Sequence, residues 1–518
     1  MRRILLLVAI LIVAAPANAE WWEARTSHFV IYSQDSEGAT RDFATQLERY
    51  DNALRSLQAT KFEPITADWQ RVTIYRTGDI DEIGRLAHSP GVAGFYKAEL
   101  APVEFTPVRE SKNLGSIVHR DSRTDLDPRS VLFHEYAHHF MSKYFPAGYP
   151  SWYVEAFAET LATIDLKPDG SFHLGNPPQY RSDDLFHSMM AVSPENLLAS
   201  TSKPDGEEFY AYYSVGWLMN HYLTFEPTRK GQLQTYLRLV SDGVPSPDAA
   251  RKAFGDLGKL DDEITRYKNR GRLYGVDVRP ANLAPPEVRM RRLSDDEEAA
   301  MRIVVHSKAG VTHAEAGGVA ADGREAARKY PNSYAVELAL SEAEFDAEHL
   351  EASEAAADRA IHINPEGIDG LIAKGHVLLE RGKKDKNKQL LTEARTWLAR
   401  AHDIDPHHPA PLLYNYLTYF YSGEGIPENA LVGLEQAYLA APHYGDLRLI
   451  LSRQLLSEKK GELAREILLP LALNPHVSKV RKTLHGVVEL IEAKKLDEAY
   501  KALAAEMARE EDEAKKGD

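Results

Sequence analysis

Prolines recur at near-regular intervals through the C-terminal part of this 518-residue chain, and that period constrains the fold more than any other feature. They stand at Pro331, Pro365, Pro406, Pro442 and Pro475, with spacings of 34, 41, 36 and 33 residues. Five residues before each of the first four sits an alanine: Ala326, Ala360, Ala401 and Ala437. Before the fifth the position is Pro470, so that unit is degenerate. The longest interval carries a polar insertion, Lys383-Lys384-Asp385-Lys386-Asn387-Lys388. A small residue late in a helix lets a neighbouring helix approach closely, and a proline cannot continue a helix. A unit of this size holds two helices and cannot bury its apolar face alone, so copies must stack. Residues 319–518 are therefore expected to form stacked antiparallel helix pairs, with a charged tail from Glu506 to Asp518 that frays.

This register resembles tetratricopeptide repeats. The resemblance implies an all-α solenoid with a curved surface for a protein partner and no catalytic chemistry of its own. The histidines in the repeats agree with that: His407 and His408 are adjacent, and cannot share a helix face as ligands four residues apart do.

A single core rarely serves more than about 250–300 residues, so a second domain is needed. Residues 20–275 read as α+β. Thr26 to Tyr32 and Arg71 to Tyr75 are rich in β-branched and aromatic residues and read as strands. Between them Phe43, Leu47, Tyr50 and Leu54 fall at helical spacing within 39–57. Residues 91–107 read as a hairpin. Asp127-Pro128 suits a helix N-terminus, and Phe133, Ala137, Phe140 and Tyr144 make a buried stripe to Tyr144. Pro146, Gly148 and Pro150 break that helix, and Ser151 is expected to cap another through Thr163. Residues 276–318 show little period and are expected to be a linker or irregular connection.

At the N-terminus, Arg2 and Arg3 precede an apolar run from Ile4 to Ala15 and an Ala17-Asn18-Ala19 cleavage pattern. Residues 1–19 are expected to be a signal peptide and the mature protein periplasmic or secreted, with no stable membrane span after cleavage. There is no cysteine, which excludes a thiolate metal site and a cysteine nucleophile. The net charge of -15 argues against nucleic acid as a partner, since phosphate binding needs clustered Lys and Arg.

The chemistry concentrates at His134-Glu135-Tyr136-Ala137-His138. Two histidines four residues apart on a helix share a face and can bind one zinc ion. Glu135, beside the metal rather than on it, can move a proton from water to a leaving amine. A catalytic zinc needs a third protein ligand. The turn at 146–150 lets the next helix fold back, and that helix carries Glu155 and Glu159, also four apart. Either can bind zinc while the other holds a ligating histidine through its second ring nitrogen. His139 lies about 100° round the helix from His138 and is expected to be packed rather than ligating.

Trp152-Tyr153-Val154-Glu155-Ala156-Phe157-Ala158-Glu159 is similar to the second motif of gluzincin peptidases, with Ala156 where that family commonly has glycine. The whole of 20–275 resembles the peptidase MA-like group. The resemblance implies a zincin-like fold, Glu155 as third zinc ligand and Glu159 behind His134. It also implies Tyr213, four residues before Trp217, as a hydrogen-bond donor to the tetrahedral oxyanion. The resulting expectation is an exported zinc peptidase acting on a peptide or protein substrate, an endopeptidase slightly favoured, followed by a separable partner-binding repeat. The alternative is a catalytically inactive zincin-like domain within a repeat-based scaffold.

Overall fold

The computed structural model describes residues 20–58, 62–109, 128–178, 193–199, 207–270, 273–476 and 478–516. The expected signal peptide at 1–19 and the expected cap Asp127 lie outside the described residues. Among those described, no helix is long and apolar enough to cross a membrane.

The N-terminal part is built on a six-stranded sheet. Its strands are β1 (Trp22–Arg25), β2 (Phe29–Ser33), β3 (Val72–Arg76), β4 (Phe95–Lys97), β5 (Val103–Thr106) and, from later in the chain, β9 (Arg289–Arg292). The order is β4-β5-β3-β2-β1-β9. Pairs β2–β3 and β3–β5 are parallel, joined by crossovers, while β4 closes one edge antiparallel to β5. Helix α1 (Glu37–Ser56) crosses from β2 towards β3, and α2 (Ile80–Leu86) follows β3. Ser36 opens α1 by accepting from the Ala39 amide. Phe29, Ile31 and Ile74 from the sheet pack with Leu47, Tyr50 and Leu54 of α1. The same core takes Leu132, Phe133, Ala137 and Phe140 of α3 (Pro128–Tyr144). Burial of Leu132, Phe133 and Phe140 contributes roughly 1.5–3 kcal/mol each, so α3 is fixed to the sheet by its apolar stripe.

Helix α4 (Ser151–Ala162) packs on α3 and on the long helix Glu207–Phe225, in a second core with Trp152, Trp217 and Tyr236. Trp152 Nε1 donates to the Tyr236 hydroxyl at 3.0 Å, so the buried indole is satisfied. A small sheet of β6 (Asp165–Leu166), β7 (Phe172–Leu174) and β8 (Val276–Val278) lies beyond.

The expectation of an irregular 276–318 is corrected. That stretch contributes β8, β9 and the helix Asp295–Ala309. Strand β9 reads Arg289-Met290-Arg291-Arg292, without the β-branched signature, because an edge strand here is held by its ladder to β1 and by charge. Arg291 pairs with the buried Glu23, and Arg292 with Glu20 at 3.1 Å.

From Asp295 onward the chain is a helical solenoid, in which Asp295–Ala309 and His313–Lys329 pack first on Tyr334–Asp346. Helices Tyr334–Asp346 and Leu350–Ile363, Ile368–Lys384 and Lys388–Ile404, Pro409–Ser422 and Glu428–Ala440, Gly445–Ser457 and Gly461–Ala472, and Ser478–Glu492 and Leu496–Lys516 pack in succession. Ala360, Ala401 and Ala437 are fully buried between helices, which is the close approach their size permits. Pro470 lies inside the helix Gly461–Ala472. The last helix does not fray at Glu506: it runs to Lys516. Glu506 is buried and accepts from Thr483 Oγ1 at 3.0 Å, and Glu511 pairs with Lys383 at 2.6 Å.

Candidate metal centre and the cleft around it

Two polar contacts reinforce the back of α3. Tyr50 of α1 donates its hydroxyl to the Phe133 carbonyl at 2.9 Å, and Tyr136 donates to Asp51 Oδ1 at 2.6 Å. Asp51 is fully buried, with Arg55 Nε at 2.6 Å and His28 Nδ1 at 3.1 Å. His28, Glu48 and Asp51 are close enough together to hold a cation, but the Arg55 guanidinium already occupies Asp51. The cluster is an ion-pair network that ties α1 to α3.

With that face pinned, His134 and His138 lie towards α4. Their Nε2 atoms are 3.0 Å apart. Glu155 Oε2 reaches them at 3.3 Å and 3.4 Å. A tetrahedral ion with ligands at about 2.0–2.1 Å needs donors about 3.3–3.4 Å apart, so this donor set of two imidazoles and a carboxylate fits zinc. Glu155 has no solvent exposure. Burial pushes its pKa up, but His476, His134 and His138 outweigh that and hold it well below the usual carboxylate range. For His134, burial lowers the pKa and the neighbouring Glu155 and Glu159 raise it, with a net rise; for His138 burial wins.

Glu159 Oε1 stands 3.9 Å from His134 Nδ1, beyond hydrogen-bond reach. Tyr213 is buried beside His134, ring centroids 6.3 Å apart. Glu135 is half-buried and lines an open cleft with His138. His139 points elsewhere: its Nδ1 meets the Tyr96 hydroxyl at 2.7 Å, and burial pushes its pKa down to about 3.

No family model matches the sequence, and no curated protein matches it. Among solved structures, that of a thermophilic TPR protein from Thermus thermophilus is similar. The TM-score is 0.32 at 17% identity, covering 37% of this chain and 97% of that one, a likeness too weak to carry an argument.

The cleft, of about 310 Å³, is not lined by residues 20–275 alone: the solenoid, expected to be separable, supplies part of its wall. One side carries Tyr96, Glu135, His138 and Tyr149; the solenoid supplies His443, Arg448, Asn474 and His476. His476 Nε2 is 3.1 Å from Glu155 Oε1, the oxygen that does not face the two histidines. His443 Nε2 lies 2.9 Å from the Glu99 carbonyl, and Trp69 Nε1 donates to Asp405 at 2.8 Å. Ser151 is the first residue of α4 rather than its cap, and its hydroxyl donates to the Leu473 carbonyl at 2.7 Å. At Gly148 a Cβ would stand 2.5 Å from Leu469 side-chain carbons, so the turn between α3 and α4 meets the solenoid closely enough that a larger residue would displace Leu469.

Spacing offered no route to His443, Arg448, Asn474 or His476, because each acts across a long sequence separation. The one mark they left is the degenerate unit: Asn474 and His476 flank Pro475, where the alanine register has given way to Pro470.

Proposed function

We propose that this chain is a zinc-dependent peptidase whose cleft is shared between the α+β part and the solenoid. The reading rests on the convergence of His134 Nε2, His138 Nε2 and Glu155 Oε2 at separations that suit one tetrahedral ion. Zinc bound there would supply Lewis acidity towards a peptide carbonyl and lower the pKa of water. Glu135, adjacent in sequence to His134 and lining the cleft, would take the proton of the attacking water and deliver it to the leaving amine. Glu159 would favour the protonated Nδ1 of His134 and so keep Nε2 available to the metal. Tyr213 would donate towards the developing oxyanion. The solenoid would guide a peptide or protein substrate to this cleft.

Metal content of the purified full chain, read beside hydrolysis of a peptide mixture, tests this. The wild type is expected to hold one zinc and cleave. Glu135→Gln is expected to hold the same zinc and lose at least about 100-fold in rate, since it removes a base and no ligand. Wild-type protein that carries zinc and cleaves nothing would leave the inactive scaffold as the better account.

A further inference from the structure

Among its described residues the solenoid pairs its buried charges with one exception, Arg448, which lines the cleft. Glu337 is paired with Arg359 at 2.8 Å, Glu344 with Arg324 at 2.6 Å, and Lys374 with Glu354 at 2.6 Å and Asp358 at 2.9 Å. Glu506 is paired with Arg509. Arg448, on the helix Gly445–Ser457, is 2% exposed and has no carboxylate partner among the described residues. Its Nε donates to the Pro442 carbonyl at 2.6 Å and its Nη1 to the Ile467 carbonyl at 3.0 Å, while Nη2 has no hydrogen-bond partner among the described residues. The nearby phenol of Tyr438, 3.4 Å from Nη1, brings no negative charge at neutral pH.

A buried cation without a counter-ion is costly unless a ligand supplies one. A guanidinium stays protonated even where burial lowers its pKa, as it does here, and its planar N–H edge matches a carboxylate. Arg448 lines the same cleft as Glu135, His138 and His476. At about 310 Å³ that cleft is at the small end of ligand sites. Arg448 shares this one cleft with Glu135 and His138, so a peptide held at the candidate metal centre would lie beside it. We propose that Arg448 is a specificity-determining residue that binds a carboxylate of the substrate, supplied by the peptide's free C-terminus or by an acidic side chain. This rests on the peptidase reading. A merely structural Arg448, bracing the carbonyls of Pro442 and Ile467, is the competing account.

The zinc-loaded full chain is given three mixtures of short peptides, matched apart from the carboxylate: free C-terminal acids, C-terminal amides, and amides with one Asp or Glu. The wild type is expected to favour one carboxylate-bearing mixture over the plain amides by more than about tenfold in kcat/KM, chiefly through KM. Whichever mixture is favoured names the source of the carboxylate. In Arg448→Gln that ratio is expected to fall to about 1, and in Arg448→Lys to lie between, because an ammonium keeps the charge without the planar edge. Arg448→Lys carries the comparison if Arg448→Gln fails to fold. A wild-type ratio near 1, or a uniform loss in the variants with the ratio kept, overturns the proposal. Binding of the same mixtures to Glu135→Gln, read by calorimetry, separates the two readings. A carboxylate preference that needs Arg448 sustains this inference even if no peptide is cleaved, whereas cleavage without any preference sustains the peptidase alone.

Discussion

Both the α+β part and the solenoid pair buried charges, as Asp51 with Arg55 and Glu337 with Arg359 do, but the α+β part also buries carboxyls in a less balanced way. In the solenoid Glu337, Glu344 and Lys374 each meet opposite charge, and the helices approach over alanines. In the α+β part a fully buried Glu155 is held among imidazoles, and Glu104 of β5 is buried with neither carboxyl oxygen hydrogen-bonded among the described residues. Stacking needs only small residues and closed pairs. Chemistry needs groups kept out of water in arrangements that folding alone would not favour. The contrast breaks at the cleft, where the solenoid's Arg448 and His476 behave like the residues opposite them.

The largest expected effect lies in the α+β part. Glu155→Ala removes a donor from the three, and zinc affinity by competition with a chelator should fall by more than the roughly 10–100-fold typical of residues that only support a ligand. Unchanged affinity would mean that Glu155 is not a ligand.

His476→Ala tests whether the solenoid takes part. If His476 holds Glu155 Oε1 and leaves Oε2 to the metal, zinc affinity should drop by about tenfold with helix content intact. Affinity equal to wild type would restore the picture of a self-sufficient α+β part and a passive repeat.

Ala360→Leu probes the stacking side. The site is fully buried, so the larger side chain should cost about 1–3 kcal/mol in chemical denaturation while leaving zinc affinity unaltered. A neutral result would show that the helices there are looser than the alanine register implies.

The smallest effect is a pH dependence at Glu104. Burial, and then the negative charge of Glu135, hold its pKa well above the usual carboxyl range. Above about pH 4 the unfolded chain releases this proton and the folded chain keeps it, so folding takes up a proton and stability falls as pH rises. Glu104→Gln lacks that dependence, and its Tm relative to wild type should climb as pH rises above about 4. A flat difference would place a compensating partner on Glu104.

Elements whose causes are local were legible in the amino-acid sequence alone. The apolar spacing of Phe133, Ala137 and Phe140 made α3, and the four-residue step set His134 beside His138 on its face. The proline and alanine registers made the helix pairs, because a helix end and a close approach are each specified within a few residues. Strand β9 was hidden because Arg289 to Arg292 owes its conformation to β1 and Glu23, far away in the chain. The course of 506–516 was hidden likewise, since Thr483 and Lys383 hold it. That the solenoid returns to the cluster of His134, His138 and Glu155 is a matter of tertiary packing alone. A cleft wall is a property of two surfaces that meet, and the contacts of Ser151 with Leu473 and of His476 with Glu155 leave no periodic trace in either partner's sequence.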